Sequence, residues 1–191
     1  EKATLTLLFD KYIPICIEIV NKRFRTITPI PSICYIQILC KLLEALILPK
    51  NIGKEPTEAI HELWFVFALV WSFGSALYHD GSTDYKAEFS KWFTQEFKDL
   101  QVPPFTSVFD VYVDPTTQQY ALWSESVPKF ELEPDLPLQA CLVHNSETIR
   151  VKFFMNILMD FQFPVMLIGL AGSGKTLMMN DKLSQFNEDF V

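Results

Sequence analysis

Residues Gly169-Leu170-Ala171-Gly172-Ser173-Gly174-Lys175-Thr176 fill the pattern G-x-x-x-x-G-K-[ST] at every fixed position. Glycines at 169, 172 and 174 let the backbone turn so tightly that successive N–H groups point inward, an arrangement suited to phosphate oxygens. A helix after the turn adds the partial positive charge of its N-terminus. In this pattern the lysine, here Lys175, reaches the β- and γ-phosphates as a point charge. The hydroxyl of Thr176 ligates Mg²⁺. The flanks agree with the motif. Val165-Met166-Leu167-Ile168 is a continuous apolar run, expected as a strand buried on both faces, and Leu177–Phe186 is compatible with a helix. The expected ligand is therefore ATP or ADP with Mg²⁺, and a chance glycine turn is the bland alternative that this context disfavours.

Hydrolysis asks for more than the loop. A further carboxylate has to hold the magnesium-bound water, and an arginine from a neighbour usually stabilises the transition state, worth about 10³–10⁵ in rate. Only fifteen residues follow Thr176, and Glu188-Asp189 lies too near the loop to end the required strand. The chain reads as an excerpt of a longer protein that contains half of a nucleotide site. No catalytic residue is assigned within it, and by itself it is expected to be a poor ATPase. Glu1 is followed by no charged-then-apolar leader, so no secretory signal is expected.

The first hundred residues read as helices. Thr4–Phe24 has a period near 3.6 and is interrupted by Pro14, which predicts a kinked helix or two short ones. Ser32 is the expected N-cap of Ile33–Leu48, with Pro49 as its stop. Pro56 fits the first turn of a helix running to Tyr78, and Gly81 fits its end. Within it Leu63–Tyr78 has sixteen residues without a charge, short of the roughly 20 that a membrane span needs, so a buried helix is expected. Ser82 or Thr83 would then cap Asp84–Leu100. Tyr85, Phe89, Trp92, Phe93 and Phe97 share one face there and read as helical core.

Beyond Val102-Pro103-Pro104 the pattern changes. Val108–Val113 is β-rich, Asp114-Pro115-Thr116-Thr117 is turn chemistry, and Tyr120–Trp123 can pair back as a hairpin. Trp123 and the hairpin are expected to pack on a neighbouring module. Lys129–Pro137 reads as an extended, acidic, Pro-rich connector. Gln139–Val143 is short and apolar and ends at His144. Asn145 or Ser146 can cap a helix whose Ile149, Phe153, Ile157 and Phe161 step along one face until Pro164 ends it.

Sixteen basic and 23 acidic residues leave a formal charge of −7, and no basic tract is present, so nucleic acid is not an expected partner. Cys16, Cys34, Cys40 and Cys141 are widely spaced, which suggests buried reduced thiols rather than a disulfide scaffold or zinc site. His61 and His79 offer no metal geometry and read as solvated helix ends; His144 reads as a packing or capping histidine.

The runs LFDKYIPICIEIV (8–20), ITPIPSICYIQILCKLLEAL (27–46), HELWFVFALVWSFG (61–74) and DYKAEFSKWF (84–93) resemble the motor region of dynein heavy chains. FDVYVDPTTQQYALW (109–123), PLQACLVHNSETIR (137–150) and PVMLIGLAGSGKT (164–176) continue the resemblance in the same order, and it covers essentially the whole chain. The likeness is to axonemal, outer-arm-type chains. It implies a ring of six linked AAA+ modules, with this chain spanning the end of the second and the start of the third. The implied fold is α+β / α/β: an N-terminal helical bundle of AAA+ lid type, then the incomplete beginning of a P-loop AAA+ α/β domain. The implied division is 1–100 for the lid-type helices, 101–137 for the Pro-rich connector with its hairpin, and 138–191 for the start of the next module.

The resemblance also implies that Gly169, Leu170, Ala171, Gly172, Ser173, Gly174, Lys175 and Thr176 bind the nucleotide phosphates of a regulatory third site. Thr176 would hold Mg²⁺, and Leu142-Val143-His144 would lie against adenine, with Val143 equally readable as a core strand residue. Implied partners are the neighbouring AAA+ modules and, through the parent chain, microtubules and dynein intermediate and light chains, with no nucleic acid and no membrane. The implied place is cytoplasmic, on the cytoskeleton of a ciliary or flagellar axoneme. Two other readings compete: another P-loop NTPase or kinase, which would carry a lid with arginines downstream, and a scaffold module with a vestigial loop.

Overall fold

The computed structural model describes residues 2–98, 100, 107–129 and 143–185. Among these lie seven α-helices, one 3₁₀ turn and one two-stranded hairpin, divided into two compact units that meet in sequence at Leu122 and Trp123.

The first unit is built around helix α4 (Glu58–Gly74), whose residues from Trp64 to Gly74 are all buried. A helix apolar on every side must be covered on every side. Helix α1 (Lys2–Arg23) and helix α2 (Ser32–Leu46) pack against it, and so does strand β1 (Val111–Asp114). α1 contributes Leu8, Tyr12, Ile13, Cys16 and Val20; α2 contributes Tyr35, Leu39, Leu42, Leu43, Ala45 and Leu46. The spacing of both sets is that of a single helical face. Helix α5 (Tyr85–Glu96) adds the expected aromatic stripe. Phe89 and Phe93 are fully buried, and Phe97 reaches Tyr12 edge-on at 4.8 Å between ring centroids.

Among the described residues no helix is long and apolar enough to cross a membrane, and α4 is core as expected. β1 pairs antiparallel with β2 (Gln119–Leu122), Val111 opposite Leu122 and Asp114 opposite Gln119, across the anticipated turn. Gln118 takes a left-handed conformation at the strand entry, accepts from Trp64 Nε1 at 3.0 Å and donates to the Asn51 and Pro115 carbonyls.

Several helix ends differ from expectation. Of the two alternatives at Pro14, α1 is the single helix and not two short ones, with buried residues on both sides of the proline. Ser32 is not the cap of α2: Pro31 occupies that position, and the Ser32 hydroxyl accepts from Asn21 Nδ2 at 2.9 Å. α2 ends at Leu46, and Pro49 starts a short helix α3 (Pro49–Ile52), its fixed φ suiting a first turn. Pro56 precedes α4 instead of lying in its first turn: Thr57 is the cap, accepting from the Ile60 N–H. That helix stops at Gly74, well before Gly81. Asp84 caps α5, accepting from Lys86 and Ala87 N–H at 3.0 Å each, so Ser82 and Thr83 are free to serve the Asp80 turn. His61 is not a solvated end: it is buried, with Nδ1 at 3.0 Å from the Thr57 carbonyl. Cys16 is buried, but Cys40 is exposed on α2.

The second unit opens with the 3₁₀ turn Trp123–Ser126. Trp123 is buried, its ring edge-on to Phe153 of helix α6 (Ser146–Asp160) at 5.2 Å, so its burial needs no neighbouring module. Asn145 caps α6 in a reciprocal capping box with Thr148. The helix ends at Asp160, ahead of Pro164. Most of the connector from Lys129 to Pro137, and Gln139 to Leu142 with it, lies outside the described residues.

Candidate functional site

The glycine-rich segment lies between Pro164 and helix α7 (Lys175–Leu183). Val165–Ile168 corrects the expectation of a strand buried on both faces. It has no pairing partner among the described residues, and Met166 is 78% exposed. A strand exists only through a ladder with its neighbours, so an apolar run by itself does not make one.

The three glycines play different parts. Gly172 and Gly174 both have φ of +78°, which side-chain-bearing residues rarely adopt. Gly169 has no such φ. A Cβ there would come within 3.1 Å of Ser173 Oγ, so its role is to leave room for that side chain. Leu170 is 84% exposed at the tip, with Ala171 beside it.

Gly174 is the N-cap of α7 and has no side chain to satisfy the helix's first N–H groups. Lys175 is the first residue of the helix. Its ammonium donates to the Gly169 carbonyl at 3.0 Å, the Leu170 carbonyl at 2.6 Å and Ser173 Oγ at 3.1 Å. Thr176 follows, exposed, with its hydroxyl at the same helix end. The residues from Gly169 to Thr176 are thus gathered around one ammonium and one helix N-terminus. Orphan N–H groups, a lysine and a hydroxyl form a donor set that fits a phosphate with a hard cation beside it.

Val143 is 57% exposed and precedes the cap of α6, so it is not a core strand residue. Among the described residues no hydrogen bond ties it to the loop. His144 beside it has a buried Nδ1 without a hydrogen-bond partner.

Two contacts around the loop escaped the sequence reading. Lys152 of α6 bonds Asp181 of α7 at 2.8 Å, joining the helix after the loop to the helix before it. Ser173 fills a variable motif position yet donates to the Leu170 carbonyl at 2.9 Å and accepts from Lys175. Neither has a local signal: the first spans 29 positions, and the second depends on the loop's own fold.

Residues 130–191 match the P-loop containing dynein motor region, and residues 5–125 match the dynein heavy chain AAA lid domain. The chain belongs to the dynein heavy chain family. Dynein axonemal heavy chain 17 of Homo sapiens is 47% identical over 189 residues, which is 99% of this chain and 4% of that protein. The ciliary dynein beta chain of Heliocidaris crassispina is 48% identical with the same coverage of both chains. The flagellar outer arm dynein alpha chain of Chlamydomonas reinhardtii is 33% identical over 184 residues, 96% of this chain and 4% of that one. This dynein heavy chain sequence therefore spans about 4% of the length of the relatives it matches. Within that span a helical AAA lid is followed by the start of a P-loop region, the fold class anticipated from the sequence.

Proposed function

We propose that Gly169–Thr176 binds ATP or ADP with Mg²⁺ as a regulatory nucleotide site of an axonemal dynein motor. Lys175 supplies the phosphate charge, Thr176 the magnesium-side hydroxyl, and the segment Leu142-Val143-His144 the adenine contact. The observation that carries this reading is the convergence of Lys175, Thr176 and the uncapped start of α7 behind two left-handed glycines. The dynein P-loop match over 130–191 supports it.

In this reading residues 1–100 form the helical end of one AAA+ module, 101–137 link it to the next, and 138–191 open that next module. Its partners are the adjoining modules of the same chain and, through the whole protein, microtubules and dynein intermediate and light chains. Its place is the cytoplasmic axoneme of a cilium or flagellum, which the names of the relatives support. ATP-driven movement belongs to the whole protein, and stepping is driven by hydrolysis at another module.

The test is Lys175→Ala in the full-length protein. Equilibrium binding is expected to lose one equivalent of nucleotide, while ATPase activity is lowered but not abolished. Unchanged stoichiometry makes the loop structural. Complete loss of hydrolysis makes this the principal site instead of a regulatory one.

A further inference from the structure

The ammonium of Lys175 has three N–H donors, and the loop takes all three: the carbonyls of Gly169 and Leu170, and the hydroxyl of Ser173. Ser173 is itself fixed from the other side, because its hydroxyl donates to the Leu170 carbonyl at 2.9 Å. Its backbone N–H also points at that carbonyl, at 3.4 Å. Leu170 O is thus the hub of a small closed cycle, Lys175 to Leu170 to Ser173 and back. A Cβ at residue 169 would crowd the Ser173 hydroxyl of this cycle at 3.1 Å.

We propose that Ser173 is a latch on Lys175, a positioning residue that holds the lysine on its own loop and sets how readily it turns to phosphate. The proposal rests on the nucleotide reading of the same loop and adds a residue that the motif leaves variable. A phosphate that draws on Lys175 has to release at least one of its three donors. The Ser173 contact is the longest of the three, and its acceptor is a neutral hydroxyl on a rotatable side chain. It is therefore the contact given up first. When the lysine is free for only a fraction of the time, apparent affinity falls by that fraction. Removing the hydroxyl frees one N–H and opens the cycle.

The experiment follows Lys175 in the full-length protein by reductive methylation and peptide mapping, with and without ATP and Mg²⁺. Ser173→Ala is expected to raise the labelling rate of Lys175 about two- to tenfold without added nucleotide, the range of one lost hydrogen bond. Ser173→Thr, which keeps the hydroxyl, is expected to label at the original rate. With ATP and Mg²⁺ added, protection of Lys175 should set in at lower concentration in Ser173→Ala. Equal labelling rates in all three proteins overturn the latch. Faster labelling of Ser173→Ala without any protection by ATP upholds the latch and rejects the nucleotide reading.

Discussion

Glu62 shows how a single residue joins two elements. Its Oε1 accepts from Lys11 Nζ at 2.8 Å and from Tyr12 Oη at 2.7 Å, tying the charged edge of α1 to α4. Burial by itself pushes the Glu62 carboxyl up, but the bonds from Lys11 and Tyr12 outweigh it, and the group is held below its ordinary value. A depressed carboxylate adds stability above the unfolded value, near pH 4.3, and that contribution is lost as pH falls through the folded value. Tyr12 works at the opposite limit. Burial, then the bond to Glu62, pushes its phenol up to about 12, so its contribution fades as pH climbs from roughly 10 toward that value. Glu62→Gln is expected to cost on the order of 1 kcal/mol at neutral pH. It should also flatten the acid limb of stability below about pH 4.3. Denaturant titrations of both proteins at pH 3.5 and 7 check this, and an unchanged acid limb refutes it. None of this cluster was legible in the sequence. Fifty-one positions separate Lys11 from Glu62, and only the packing of α1 on α4 brings them together.

At the scale of elements, the helices were legible because their apolar faces recur at 3.6 residues, but their ends were not. Asp84 caps where Ser82 or Thr83 was expected, because short runs of small polar residues offer several chemically equivalent caps. Ser32 was lost as a cap to a partner eleven positions away, Asn21. Asn145, one of the two caps read there beside Ser146, is the cap, and its capping box is wholly local. The close approach between the end of α4 and the segment before β1 had no signal at all. Gly74 lies under the ring of Phe109, and a Cβ added there would overlap that ring. Phe109 is buried between Trp71, 5.5 Å away edge-on, and Phe89 at 5.8 Å, so it has little room to withdraw. Gly74→Ala improves helix propensity by about 1 kcal/mol. Overpacking costs about 1–3 kcal/mol, and here the overpacking wins. The expected outcome is net destabilisation of the first unit, read as a lower denaturation midpoint. Pairing it with Phe109→Leu should recover part of the loss. A midpoint raised by Gly74→Ala alone would show that the ring yields without cost.

For the whole molecule, the two units differ in what they bury. The first holds the large fully buried side chains Tyr12, Trp64, Phe65, Phe73, Phe89 and Phe93. In the second, the buried apolar residues among those described are Trp123, Met155 and Met178. Each fully buried large side chain contributes about 1.5–3 kcal/mol, so the second unit has much less to set against chain entropy. The tight turn at Gly172 and Gly174 and the helix start at Lys175 were legible because their pattern is written in consecutive residues. The unpaired state of Val165–Ile168 was not, because Met166 and Ile168 stand exposed and a ladder needs partners that local sequence does not name. It follows that the 191-residue chain opens in two steps. Amide exchange followed by mass spectrometry should find α4 the slowest, with α6 and α7 faster by about two orders of magnitude or more. A single opening event common to α4, α6 and α7 contradicts this. The same measurement bears on the loop. A ligand bound only by the folded unit adds stability of RT ln(1 + [L]/Kd), about 2.7 kcal/mol at a hundredfold excess over Kd. ATP with Mg²⁺ should therefore slow exchange in α7 and leave α4 unchanged, and Lys175→Ala should abolish that selective protection.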